Sequence, residues 1–147
     1  MATPIKTLLL NGIKTSVLTV TDLKAVYLDP SRMPHENEPD TYTAIFTMPE
    51  TARKIDLYRE SEFDFSVETW VKADTDDLAR ERCIDLNSQI AAALLVKGSA
   101  AREYAVYLEE ADGQAMDVLY YEGFCIAINL YHVKYRYLYG NPYQLNP

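Results

Sequence analysis

The segment that most constrains this chain is its last long one, GFCIAINLYHVKYRYLYG, which runs from Phe124 to Tyr139 without a glycine or a proline. β-Branched and aromatic residues dominate it, so it reads as a strand. Strand side chains alternate between faces. Phe124, Ile126, Ile128 and Leu130 share one parity, and Val133, Tyr135, Tyr137 and Tyr139 share the other. The apolar face therefore changes near Tyr131–His132. A β-bulge there would keep both sets on the core side. The alternative is that the second half is buried on the opposite face by another molecule. At roughly 3.3 Å per residue the run is about 50 Å long, more than a small domain's own sheet would cover. The distal half is then expected to project to a partner, with residues 140–147, containing NPYQLNP, as a C-terminal arm beyond a single domain spanning 1–139.

Upstream, Ile5, Leu8, Leu9 and Ile13 give an apolar stripe for a helix over Pro4–Leu18, weakened by Gly12. LKAVYLDP reads as a short strand stopped by Pro30. Residues 29–40, DPSRMPHENEPD, hold three prolines and four acids with no periodic apolar pattern, and form a long loop. TYTAIFTM is a strand, and PETARKIDLYRE a polar connection or hairpin extension. EFDFSVETWVKA is the clearest strand: Phe63, Phe65, Val67, Thr69 and Val71 face the core, while Trp70 lies on the polar side, exposed or covered by a neighbour. In DTDDLARERCIDLNSQIAAALLVKG, Asp74 is the expected N-cap and Asp76 and Asp77 suit the positive helix end. Ala79, Cys83, Leu86, Ile90 and Leu94 form one helical stripe, and Gly98 closes it. REYAVYLEE alternates as a strand, ADGQ offers an Asp-Gly hairpin turn, and MDVLYYEG begins the next strand. This order of elements gives an α+β fold: a mostly antiparallel sheet with an N-terminal helix and one long central helix packed on one face.

The residues for chemistry are sparse. The sequence has no phosphate loop, no dinucleotide fingerprint, no HExxH and no nucleophile elbow. The two cysteines lie far apart in sequence, Cys83 forms no local nucleophile motif with either histidine, and it sits on the apolar helix stripe, so both cysteines read as buried free thiols. The Asp run at 74–77 is accounted for by the helix start. We expect no catalytic residue, no cofactor and no metal. The apolar runs are too short for a membrane helix and no signal peptide is evident, so a product of the cytoplasm is expected.

Fourteen basic against twenty-two acidic residues leave a formal charge of −8, which opposes bulk nucleic-acid affinity. Five of twelve tyrosines fall between Tyr131 and Tyr143, interleaved with Lys134 and Arg136. Two cations make a thin groove for single-stranded nucleic acid, whereas tyrosine suits protein interfaces. The interface candidates are Trp70, Tyr131, Tyr135, Arg136, Tyr137, Tyr139 and Tyr143, with His35, Glu36 and Glu38 as charged contacts in the long loop. Asp64 and Glu68 belong to an acidic stretch from Asp56 to Glu68 that reads as a solvated sheet face or, in a ring, as the lining of a lumen.

The layout resembles the tail terminator (tail completion, head–tail joining) proteins of tailed bacteriophages. The likeness rests on the helix IKTLLLNGIKTSVL, the strand and Pro-rich loop KAVYLDPSRMPHENEPD, the strand–helix unit FDFSVETWVKADTDDLARERCIDLNSQIAAALL and the closing CIAINLYHVKYRYLYGNPY. It covers most of the chain as a pattern, with no shared motif from which a functional residue carries over. The resemblance implies a non-enzymatic virion protein of the tail or neck, assembled in the host cytoplasm. Such proteins form hexameric rings that cap the tail tube, dock to the head connector and leave a channel through which DNA only passes. The implied partners are further copies of the chain, the tube protein and connector proteins, with no membrane. Another neck adaptor or tube-end protein, or a small nucleic-acid or ligand-binding module, stands as the alternative.

Overall fold

Two strands of nearly equal length form the spine of the computed structural model, which describes residues 2–31, 39–111 and 117–145. They are β4 (Tyr58–Val71) and β7 (Phe124–Leu138), paired antiparallel without interruption from Tyr58 opposite Leu138 to Val71 opposite Cys125. β1 (Ala25–Leu28) runs parallel to β2 (Thr41–Thr47), and every other pairing is antiparallel. β3 (Thr51–Ile55) continues β2's side along β4. β5 (Tyr107–Glu110) and β6 (Asp117–Tyr121) lie end to end along the free side of β7, completing seven strands among the described residues. Helices α1 (Ile5–Leu18) and α2 (Asp76–Leu95) pack on one face of this sheet, giving the α+β architecture.

The unbroken register corrects both readings of the last strand. No bulge forms where the apolar parity changes. Cys125, Ala127, Tyr131, Val133 and Tyr135 face the helices along the whole strand, in one core with Phe63, Phe65, Val67 and Val71. Phe124 and Ile126 face the other way, into a second apolar cluster with Tyr42 and Trp70 of the same chain. The distal half is covered from within, with Tyr137 packed against the core and Tyr135 stacked edge-on against Phe63 at 6.3 Å.

The C-terminal segment also turns inward. Pro142 O accepts a bond from Ile5 N at 2.9 Å, at the first residue of α1, and Gln144 O accepts one from Leu138 N at 2.7 Å. Leu145 packs on the core, so residues 140–145 close the domain instead of leaving it. Deleting residues 140–147 should therefore cost about 2 kcal/mol, from lost apolar burial and two backbone bonds. A thermal melt checks this: an unchanged midpoint would mean a detachable arm.

Two short-range features differ from expectation. Thr75, not Asp74, caps α2, its Oγ1 accepting from Leu78 N at 3.2 Å. The hairpin turn into β7 is Glu122–Gly123, both with positive φ (45° and 83°) as a tight primed turn requires. The Asp-Gly signal at 112–113 lies outside the described residues. The strands flanking it, β5 and β6, run in the same sense along β7 and do not pair with each other.

Gly12, which weakens α1 on propensity, has a packing reason. A Cβ there would overlap the carbonyl oxygen of Ala100 in the short 3-10 helix Ala100–Arg102. One turn on, Ser16 Oγ accepts from Ala101 N at 2.9 Å. Small residues at i and i+4 thus let this turn seat against α1. On α2, buried Asn87 donates to Thr69 Oγ1 (3.1 Å) and Ala127 O (3.2 Å), and the Cys83 thiol donates to Thr69 O (3.0 Å), tying the helix to both spine strands. The two thiols are free and buried, and burial pushes that of Cys83 up to about 12.

Candidate functional site

The sheet face turned away from the helices is the surface the architecture leaves for recognition, and side-chain alternation divides it into two regions. Near the β7 N-terminus, Ala25, Tyr42, Trp70, Ile126 and Leu119 fall in one row across five strands. Their neighbours complete an aromatic patch. Trp70 stacks on Tyr42 at 5.5 Å and 19°, with Phe124 and Tyr121 set edge-on at 5.6 and 6.1 Å. Its indole nitrogen donates to Glu68 Oε2 at 3.2 Å. Trp70 is buried within the chain's own aromatic cluster, which removes it as an interface contact.

Further along the same face, β4 and β7 bring opposite charges into register. Asp64 stands opposite His132, Glu62 opposite Lys134 and Glu60 opposite Arg136, with Arg53 of β3 beside Glu60. His132 Nδ1 lies 2.5 Å from Asp64 Oδ1. Glu60, 3% exposed, accepts from Arg53 Nη2 at 2.9 Å and from Arg136 Nε at 2.6 Å, with Lys134 Nζ at 3.5 Å. Burial alone would raise its pKa. Bonds from Arg53 and Arg136, and the charges of Arg136 and Lys134, outweigh that and hold it at about 2. Burial likewise works against charging His132, but the hydrogen bonds and charges of Asp64 and Glu62 win and raise its pKa.

These contacts place the remaining candidates. Tyr131 is fully buried on the helix side, stacked on Phe65 at 5.2 Å, and its hydroxyl accepts from Asn129 Nδ2. Tyr135 is buried with its hydroxyl donating to Glu50 at 2.7 Å. Both are core residues and are withdrawn as interface candidates. Arg136 is occupied by Glu60, and Tyr137 is half-buried against Tyr135. Tyr139 and Tyr143 remain exposed, and the Lys54 ammonium sits 4.5 Å above the Tyr139 ring. Neither lumen candidate is a free carboxylate: Asp64 is tied to His132 and Glu68 to Trp70, and burial raises the Glu68 pKa. His35, Glu36 and Glu38 lie outside the described residues.

Two features escaped the sequence reading. Glu60 belongs to the acidic stretch but is its buried centre, because Lys134 and Arg136 arrive from 76 residues downstream and nearby. The edge strand β6 exposes Leu119, Tyr120 and Tyr121. MDVLYYEG carried that signal as an apolar run, but its lack of a second partner strand is a tertiary fact. Among the described residues, no group of three His, Cys, Asp or Glu side chains is placed to hold a metal ion, and no helix is long and apolar enough to cross a membrane.

The architecture defines an α+β sheet-and-two-helix domain, and comparison finds the same fold elsewhere. It matches a chain in the solved structure of the virion of a native gene transfer agent (GTA) particle, with a TM-score of 0.55 and 12% identity. The match covers 90% of this chain and 97% of that one. No protein-family model matches the sequence, and no curated protein does.

Proposed function

We propose that this chain is a virion structural protein of a tailed phage or phage-like particle, a ring-forming tail terminator that caps the tail tube and joins it to the head connector. The observation that carries the reading is the near end-to-end fold match to a GTA virion chain. The element order that resembles tail terminators supports the finer role. The site agrees with a structural part: its ionic side chains are spent on one another across β4 and β7, and Leu119, Tyr120 and Tyr121 are exposed on the edge strand β6, where protein contacts form. The partners would be further copies of the chain, the tube protein and connector proteins, with DNA passing through an axial channel.

The test is native mass spectrometry with negative-stain imaging over a concentration series, alone and with purified tail tubes. Closed rings, six-fold by the resemblance, or a six-fold cap on tube ends are expected. A chain that stays monomeric and leaves tube ends bare would sink the reading.

A further inference from the structure

One stretch of the sheet's perimeter combines free backbone groups, exposed apolar side chains and a single sign of charge. Strand β6 pairs with β7 and, among the described residues, with no other strand. The two-residue turn Glu122–Gly123 joins it to β7, so Tyr121 and Phe124 form the closing hydrogen-bonded pair. Bonded and non-bonded pairs alternate from there. Tyr121, Leu119 and Asp117 therefore spend their backbone groups on β7, and the N–H and C=O of Tyr120 and Val118 point out of the sheet. Leu130 O, on the same parity of β7 as Phe124, accepts from Ala111 N at 2.9 Å, as this alternation requires.

The side chains along these outward groups are apolar. Leu119 is 38% exposed, Tyr120 51% and Tyr121 53%. Leu119 and Tyr121 lie on the open face of the sheet, and Tyr120 shares the helix face with the partly buried Val118. An added strand would find apolar contact on both of its faces. The charge is one-sided: from Tyr107 to Gly123 the sequence carries Glu109, Glu110, Asp112, Asp117 and Glu122 and no base. Charge placed within an edge blocks pairing. Here no charge interrupts Val118–Tyr121, and the acids flank it, so they repel an acidic strand and admit a basic one. Pairing of this edge with its own copy would set acids beside acids.

We propose that β6 takes a lysine- or arginine-rich extended segment of a partner protein as an added strand, bonded to the backbone of Val118 and Tyr120 and packed against Leu119, Tyr120 and Tyr121. Main-chain bonds would give such a contact its affinity, and the alternating side chains its specificity. The inference deepens the virion reading above, on which it rests for the source of the partner, by naming the surface that a tube or connector protein would engage.

Two short capped peptides test it on the full chain, one alternating lysine with valine and the other glutamate with valine. At low salt the lysine peptide should shift the backbone amide resonances of Val118 and Tyr120, and the glutamate peptide should not. Tyr120→Pro removes one outward donor and leaves the β7 ladder intact, so it should weaken binding about tenfold or more. Asp117→Lys, on the exposed flank, should weaken it several-fold by charge alone, and keeps the test open should the proline variant misfold. Thermal melts matching the wild type show that each variant is folded. A lysine peptide that leaves β6 unshifted, a glutamate peptide that binds as well, or folded variants that bind like the wild type would overturn the assignment. Self-association of the chain that Tyr120→Pro abolishes would give the edge to a second copy and overturn it too. These readouts need neither a ring nor a tube end, so the terminator reading stands or fails separately by imaging.

Discussion

Trp70→Ala should lose about 3–5 kcal/mol of stability as the isolated chain, lowering the melting midpoint by on the order of 10 °C. The reason is the position of the ring. Among the described residues no helix covers that face of the sheet, so Trp70 is buried against Tyr42, Phe124 and Tyr121, and Tyr42 and Phe124 owe much of their own burial to it. Alanine would leave a hole under three aromatic rings and release Glu68 from its indole partner. Equilibrium unfolding measures this, and the chain's one tryptophan reports it directly in the wild type. An interface tryptophan would behave in the opposite way: stability would hold and assembly alone would fail.

The second large effect is expected at Glu60. Glu60→Gln removes the anion that three cations share and should cost about 2–3 kcal/mol near neutral pH, since Arg53 and Arg136 can turn partly to water but Lys134 is more enclosed. The pH dependence follows from the direction of its shift. The folded pKa, about 2, lies below the ordinary 4.5, so the contribution is full above 4.5 and is lost as pH falls from there to 2. His132 acts in the opposite sense. Its pKa is raised from 6.5, so its contribution is full below 6.5 and is lost as pH rises above that value. The groups facing it are Asp64 and Glu62 of β4, with Tyr107 and Glu109 of β5. Melting midpoints from about pH 2 to about pH 9 should fall on both flanks. Glu60→Gln should flatten the acid flank and His132→Gln the alkaline one. An acid flank unchanged in Glu60→Gln would assign that loss to other carboxylates.

These effects trace to particular residues, and so does the limit of reading them from sequence. Local pattern determined the elements. The stripe from Ala79 to Leu94 made α2, the alternation from Phe63 to Val71 made β4 and chose its core face, and the unbroken run from Phe124 made β7. Such features depend on spacing within one segment, which the chain carries in full. Which surface buries each residue depended on pairing between segments. The parity change at Tyr131–His132 is visible in sequence, yet its meaning required knowing that Trp70 and Tyr42 stand beside Ile126 and Phe124 on the far face. With that second cluster in place, no bulge and no partner are needed. Likewise Glu60, Glu62 and Asp64 look like a solvated acidic row until β7 sets Arg136, Lys134 and His132 against them. The sequence by itself determined the α+β class, the two helices and the long strands, because those follow from side-chain period. The tertiary structure decided that Trp70, Tyr131 and Tyr135 are core, that residues 140–145 close the domain, and that Glu60 is the buried centre of an ionic cluster. Those follow from long-range register, which spacing within one segment does not encode.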